Sequence, residues 1–180
     1  LGNGFLLPRG PLREPPEALG RAGAVVFTRS EDTAPPSDRG LTAILRGRPV
    51  LRTRIRPVKL VAADGTEMPL SRLAGKRVFA FAGIARPDSF RQTLEGLGAD
   101  IAGFRALPDH HRYGAEDVRR IERAFGETGA EILVTTEKDG VKLSGLAAAP
   151  QRVFCLAIET EILEGPEALE TALRVCLGAR

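Results

Sequence analysis

The chain has 180 residues, room for one ordinary domain or for a small domain with part of another. Its residues are 43% hydrophobic and 27% charged, which excludes a disordered or fibrous chain, and no run approaches the roughly 20 apolar residues that cross a bilayer. The net charge of +3 is uneven: residues 1–60 hold eleven basic side chains against five acidic ones, and residues 61–180 hold fifteen against eighteen, so an anionic partner is expected near the first third.

In chain order, residues 1–20 are rich in Pro and Gly and read as a stiff, extended loop. Within it "PPEALG" predicts one helical turn stopped by Gly20. "AVVFT" (24–28) predicts a short buried strand, and "RSEDTAPPSDRG" (29–40) a surface loop. Residues 50–62 alternate, with Leu51, Thr53 and Ile55 on one face and Arg52, Arg54 and Arg56 on the other. Pro57 points to an edge strand or a two-stranded ribbon, and the arginine face to anionic headgroups or to solvent.

From residue 77 strand and helix alternate. Strands are expected at 77–84, 100–107, 131–136 and 152–158. Helices are expected from Pro87 to Gly98, over "AEDVRRIERAFGETG" with Val118, Ile121 and Phe125 on one face, and over "PEALETALRVCLG". The fold class is therefore α/β, a parallel Rossmann-like sheet with helices on both faces, three layers in all. Cys155 and Cys176 lie in apolar runs without CxxC spacing and read as buried thiols, not as a metal site. The opening residues read as the interior of a longer chain.

In an open parallel sheet, ligands bind beyond the carboxyl ends of the strands. Three marked segments fall there: "AGIARP" with Gly83 and Arg86, "DHHRY" (109–113), and "TTEKDGVKL" (135–143). The second holds both histidines of the chain, His110 and His111, beside Asp109. A carboxylate-held imidazole can serve near neutral pH as acid, base or donor; the plain alternative is a capping aspartate with two exposed rings. Lys138 and Lys142 can line one helix face toward phosphate or toward water. Thr135 and Thr136 can cap a helix starting near Glu137, and Asp139-Gly140 can form a turn. "GNGFLLPRGPLREP" is a further candidate, since Arg13 stands on a stiff loop and its guanidinium fork suits a phosphate. An Arg13–Glu14 surface pair is the alternative there.

Taken together and in order, "GNG-x-LLP-x-GPLREP", "AFAGIARP", "LPDHHRY" and "TTEKDGVKL" resemble the tetraacyldisaccharide 4'-kinase family over almost the whole chain. The resemblance implies transfer of the ATP γ-phosphate to the 4'-hydroxyl of a tetraacylated glucosamine disaccharide 1-phosphate, with Mg²⁺. It also implies a peripheral place on the cytoplasmic face of the inner membrane, no nucleic acid partner, and a monomer. It assigns residues 1–48 to the tail of a P-loop kinase core, 49–70 to a β-ribbon hinge and 71–180 to a C-terminal α/β domain whose last helix packs back on the core. It implies a catalytic role for His110, with Asp109 orienting the loop. Asn3, Arg13, Glu14 and His111 are implied at phosphate or substrate, with Lys138 and Arg86 as further contacts.

The departure from the family is that no G-x-x-x-x-G-K-[ST] occurs in the 180 residues; "LAGKR" (73–77) lacks the leading Gly and the hydroxyl residue. The chain is thus expected to be the C-terminal part of such a kinase, inactive alone, with most ATP and Mg²⁺ contacts outside it. Two rivals stand beside this reading. A non-catalytic Rossmann-like module for a nucleotide or anion fits the sheet and the missing phosphate loop, but leaves the "GPLREP" loop unexplained. A nucleic-acid binder fits the basic first third, but aromatics are few and no zinc or RNA-binding signature occurs.

Overall fold

The described elements, in chain order, are β1 (Val25–Phe27), α1 (Arg39–Leu45), β2 (Val50–Ala62), β3 (Glu67–Met68), β4 (Arg77–Ala82), α2 (Pro87–Gly96), β5 (Asp100–Ala106), α3 (Ala115–Thr128), β6 (Ile132–Thr136), α4 (Glu137–Ser144), β7 (Val153–Glu164) and α5 (Pro166–Leu177). Short 3-10 helices occupy Pro16–Arg21 and Leu70–Leu73. The computed structural model describes residues 3–28, 30, 39–144, 146 and 153–178. The chain divides into two units: Leu1–Arg56 with Thr160–Arg180, and Pro57–Glu159.

The second unit is built around β4. Its side chains alternate between two cores: Val78, Ala80 and Ala82 face one, Phe79 and Phe81 the other. A strand buried on both faces must be apolar at nearly every position, which is why 78–83 reads as one continuous run. The strand order is β7-β6-β4-β5, and each neighbouring pair is parallel. Helix α2 covers one face with Phe90 and Leu94. Helix α3 covers the other with Val118 and Ile121, Phe125 packing at the margin, and α4 adds Leu143. Each fully buried Leu or Ile of this kind contributes about 1.5–3 kcal/mol. The expected three-layer α/β class is the one observed, and its helices stop where expected: Gly98 (φ +83°) follows α2 and Gly129 (φ +61°) caps α3 in the left-handed region, which glycine enters without penalty.

In the first unit, β1 pairs in parallel with the start of β2, Val25 opposite Val50 through Phe27 opposite Arg52. β2 is not an edge strand: β1 and β7 are its neighbours. Pro57 lies after the β1 ladder and before the antiparallel ladder that joins Leu60 and Val61 to β3, so its missing N–H removes nothing from either. The burial alternation holds at Leu51 and Thr53 but fails at Ile55, which is 39% exposed. Two arginines of this face pair with carboxylates of β7, while Arg56 is exposed. Arg52 pairs with Glu164 at 3.0 Å, and Arg54 with Glu161 at 2.8 Å. These cross-strand pairs explain why β7 continues to Glu164 rather than stopping near 158: its acidic residues oppose the arginines of β2.

Other expectations are corrected. Helix α1 begins at Arg39, inside the stretch expected to be loop; seven residues are too few to display a helical period, but Leu41 is buried and Arg48 closes the last turn on Ile44 O at 2.6 Å. The loop expectation for 31–38, and the Cys176 side chain, lie outside the described residues. Residues 5–12 are not extended but turn back on themselves, Leu7 N donating to Leu12 O at 2.8 Å and Leu12 N to Phe5 O at 3.2 Å. Asp139-Gly140 is no turn; both residues lie within α4.

Gly140 packs against β7 so closely that a Cβ there would overlap Cys155 Sγ. Alanine is the better helix former by about 1 kcal/mol, whereas overpacking costs about 1–3 kcal/mol. Gly140→Ala is therefore expected to lower unfolding stability in urea by about 1 kcal/mol, and adding Cys155→Ala should recover it.

Candidate functional site

At the carboxyl edge of the second unit's sheet, the segments after β4, β5 and β6 meet. Leu107 N donates to Ala82 O at 2.9 Å, so the chain leaving β5 starts against the end of β4. The centre of the meeting point is Asp139, fully buried in the first turn of α4. Its Oδ2 accepts from the Gly83 amide at 2.8 Å and from Thr136 Oγ1 at 2.8 Å; its Oδ1 accepts from Lys142 Nζ at 3.0 Å. A buried carboxylate without such donors would cost several kcal/mol, on the order of the ~3–5 kcal/mol lost when a buried pair is broken. Thr136 serves as the helix cap, its Oγ1 also accepting from Asp139 N at 3.2 Å. Thr135 does not cap; it is buried and donates to Phe81 O at 2.9 Å.

The loop after β5 stands on this floor. The Tyr113 ring meets Phe81 edge-on at 6.0 Å and His111 at 5.0 Å. Lys142 Nζ lies over the Tyr113 ring, 5.8 Å from its centroid. A Cβ at Gly83 would lie 3.1 Å from Asp139 Oδ1, 3.1 Å from His111 Cβ and 3.3 Å from Tyr113 Oη, so a side chain there would crowd all three and push the loop by a few tenths of an ångström. Burial first, and then the negative charge of Asp139, push the Tyr113 phenol far above its ordinary value.

The two histidines differ. His111 is half-buried, its Nε2 3.2 Å from Asp117 Oδ2 but without hydrogen-bond alignment. Asp117 in turn accepts from Gly114 N at 2.9 Å. That amide first, and the neighbouring His111, hold the Asp117 carboxyl below the usual carboxylate range against desolvation. His110 is 78% exposed and sits at φ +58°, in the left-handed region. Its Nε2 is 3.8 Å from Asp109 Oδ2, and its amide donates to Asp109 Oδ1 at 2.9 Å. Lys138 Nζ donates to the same oxygen at 3.3 Å. Desolvation pushes the Asp109 carboxyl up, but the Lys138 and His110 bonds and charges together outweigh it and hold the group low. Arg86 is exposed at the start of α2.

The other residues expected at phosphate or substrate lie in the first unit. Arg13 is exposed. Glu14 pairs with Arg21 rather than with its neighbour Arg13. Asn3 shapes its own loop: its Nδ2 donates to Arg9 O at 3.0 Å and its Oδ1 accepts from Phe5 N at 3.1 Å. The sequence alone does not single out Asp139, Asp117 and Tyr113 for the positions they hold. The one signal it carries is Thr136-x-x-Asp139, the spacing of a capping box. Among the described residues no group of three or more His, Cys, Asp or Glu side chains could hold a metal ion.

A parallel sheet covered on both faces, with its polar groups gathered at the carboxyl edge, places the second unit in the Rossmann-like α/β class. The family model described as "Tetraacyldisaccharide-1-P 4'-kinase" matches residues 1–177, and the chain belongs to that family. It is 45% identical over 172 residues to the tetraacyldisaccharide 4'-kinase of Syntrophus aciditrophicus, covering 89% of this chain and 46% of that protein. It is 43% identical over 178 residues to that of Anaeromyxobacter dehalogenans, covering 96% and 47%. Among solved structures, the crystal structure of the "apo" form of LpxK from Aquifex aeolicus in complex with ATP is similar with a TM-score of 0.66 and 28% identity, over 96% of this chain and 48% of that one. The chain spans about half the length of the curated relatives it matches.

Asp139→Ala removes the acceptor from three donors, one of them the buried Gly83 amide. Urea unfolding is expected to show a loss of about 3 kcal/mol or more. Asp139→Asn, which keeps the shape and one acceptor oxygen, should lose clearly less.

Proposed function

We propose that this chain forms part of a kinase that moves the γ-phosphoryl group of ATP to the 4'-hydroxyl of a tetraacyldisaccharide 1-phosphate, and that it contributes the loop carrying Asp109 and His110. The observation that carries the reading is the contrast within that loop. His111 is packed in place, while the imidazole of His110 is offered to solvent beside a carboxylate held in its charged form.

In the proposed step the hydroxyl oxygen bonds to the γ-phosphorus, the bond to the β-phosphate oxygen breaks, and ADP leaves. The hydroxyl proton passes to a base. Phosphoryl transfer asks mostly for positioning and charge stabilisation. His110 orients the hydroxyl and takes or relays its proton, and Asp109 steadies both the loop and the positive ring. Arg13 offers a guanidinium fork to phosphate, with Glu14, Asn3 and His111 also at phosphate or substrate, and Lys138 and Arg86 stand as further contacts. The described residues do not fit a Mg²⁺ site. The acids of the edge are already committed, Asp139 to Gly83, Thr136 and Lys142, and Asp109 to Lys138. The metal's ligands in this reading come from elsewhere, and no step is assigned to it through this chain.

The remaining parts of the reading follow the family. Residues 1–48 belong to the kinase core, 49–70 to a hinge, and 71–180 to a C-terminal domain whose last helix returns to the core; the grouping of Thr160–Arg180 with Leu1–Arg56 supports that return. The protein works as a monomer at the cytoplasmic face of the inner membrane on a lipid A precursor. No helix of the described residues is long and apolar enough to cross a membrane.

The 180 residues contain no Walker A sequence. The chain alone, given ATP, Mg²⁺ and the lipid acceptor, is accordingly expected to show background turnover; clear turnover would overturn its assignment as one part of the enzyme. In the protein purified at its native length, His110→Ala should lower kcat by about 10²- to 10⁴-fold with little change in KM for ATP, and His111→Ala should lower it much less. Arg13→Lys should lose most activity, because lysine keeps the charge but not the fork. A native-length protein that binds ATP yet transfers nothing would make it a binding module instead.

A further inference from the structure

Three buried side-chain polar atoms among the described residues lack a hydrogen-bonding partner: Arg91 Nε, His111 Nε2 and Tyr113 Oη. Two of the three belong to the loop that presents His110. Tyr113 is 8% exposed, and its hydroxyl lies against the Asp139 carboxylate without full hydrogen-bond alignment. Phenylalanine would fill the same space and lose no aligned hydrogen bond. A hydroxyl at such a position can serve either the fold's stability or the placing of the loop.

Its surroundings indicate which. The hydroxyl end points to the floor made by Gly83 and Asp139, 3.3 Å from where a Gly83 Cβ would stand. The ring lies between Phe81 below and His111 above, 6.0 Å and 5.0 Å away. His111 precedes it by two residues and follows His110 directly, and His110 sits at φ +58°, a conformation non-glycine residues rarely take. The Tyr113 ring thus meets the residue directly after His110.

We propose that Tyr113 is a positioning residue for phosphoryl transfer: its hydroxyl, set against Gly83 and Asp139, fixes the 109–113 loop so that His110 meets the acceptor hydroxyl. The proposal rests on the reading of His110 given above. Tyr113 touches no reacting atom; it acts through His110, and catalytic geometry is sensitive to displacements of an ångström or less.

The test is a double-mutant cycle in the native-length protein, with ATP and the tetraacyldisaccharide phosphate as substrates and thermal melts alongside. Tyr113→Phe is expected to melt at the same temperature or higher, to leave KM for ATP unchanged, and to lower kcat by about tenfold or more. In a His110→Ala background it is expected to add no further loss, since the group it positions is gone. Gly83→Ala pushes on the same hydroxyl from the other side and should lower kcat in the same pattern. A wild-type kcat in Tyr113→Phe beside a crippled His110→Ala overturns the proposal alone. So do losses that multiply in the double variant, or a lower melting temperature with both KM values raised. A wild-type kcat in His110→Ala overturns the reading beneath it, and the proposal with it.

Discussion

A carboxylate sealed from water must be met by donors, and at Asp139 those donors come from three places in the chain. The Gly83 amide ends β4, the Thr136 hydroxyl ends β6, and Lys142 is one turn further along α4. Meeting all three fixes the ends of two parallel strands and the first turn of a helix relative to one another. Such an arrangement is costly to desolvate and weakly stabilising in sum. What it returns is definition: the carboxyl edge of this sheet has one geometry, and the loop after β5 has a rigid surface to rest on.

That surface separates two side chains which adjacent positions would leave equivalent. His111 follows the loop inward, toward Tyr113 and Asp117. His110, turned through a left-handed backbone conformation that non-glycine residues rarely take, faces outward. One backbone rotation therefore converts a pair of imidazoles into an anchor and an exposed group. Lys138 and Asp109 stand beside the exposed one, so the outward ring has a charged neighbourhood while the inward ring has an aromatic one.

Much of the second unit was legible in the sequence because its strands are buried on both faces. β4 reads as an unbroken apolar run and β6 as a short apolar stretch ending in two threonines, and glycine stops at 98 and 129 bound the helices. The meeting of the three loop segments was legible too, since strand ends on one edge of a parallel sheet must gather. What was not legible depended on partners distant in sequence. The extension of β7 to Glu164 is set by Arg52 and Arg54, more than a hundred residues upstream, and no local pattern carries it. Asp139 reads as a turn residue because Asp-Gly usually is one; only the Thr136 spacing hints that it lies in the first turn of a helix that Thr136 caps. Gly83 stands in a loop segment whose neighbours are not visible locally: its tight contacts are with His111 and Tyr113, which arrive from another strand, and with Asp139.

The division of the chain into Leu1–Arg56 with Thr160–Arg180, and Pro57–Glu159, has a consequence for biosynthesis. The second unit is continuous in sequence, so every residue it needs has been made once Glu159 leaves the ribosome. The first unit is discontinuous, and its early segments wait for α5 and the end of β7. Translation proceeds at about 5–20 residues per second, so the delay is short, but the order is set: the sheet carrying the histidine loop can close while its neighbour is still incomplete. During that interval Glu164 and Glu161, which pair with Arg52 and Arg54 in the folded chain, are not yet available to β2.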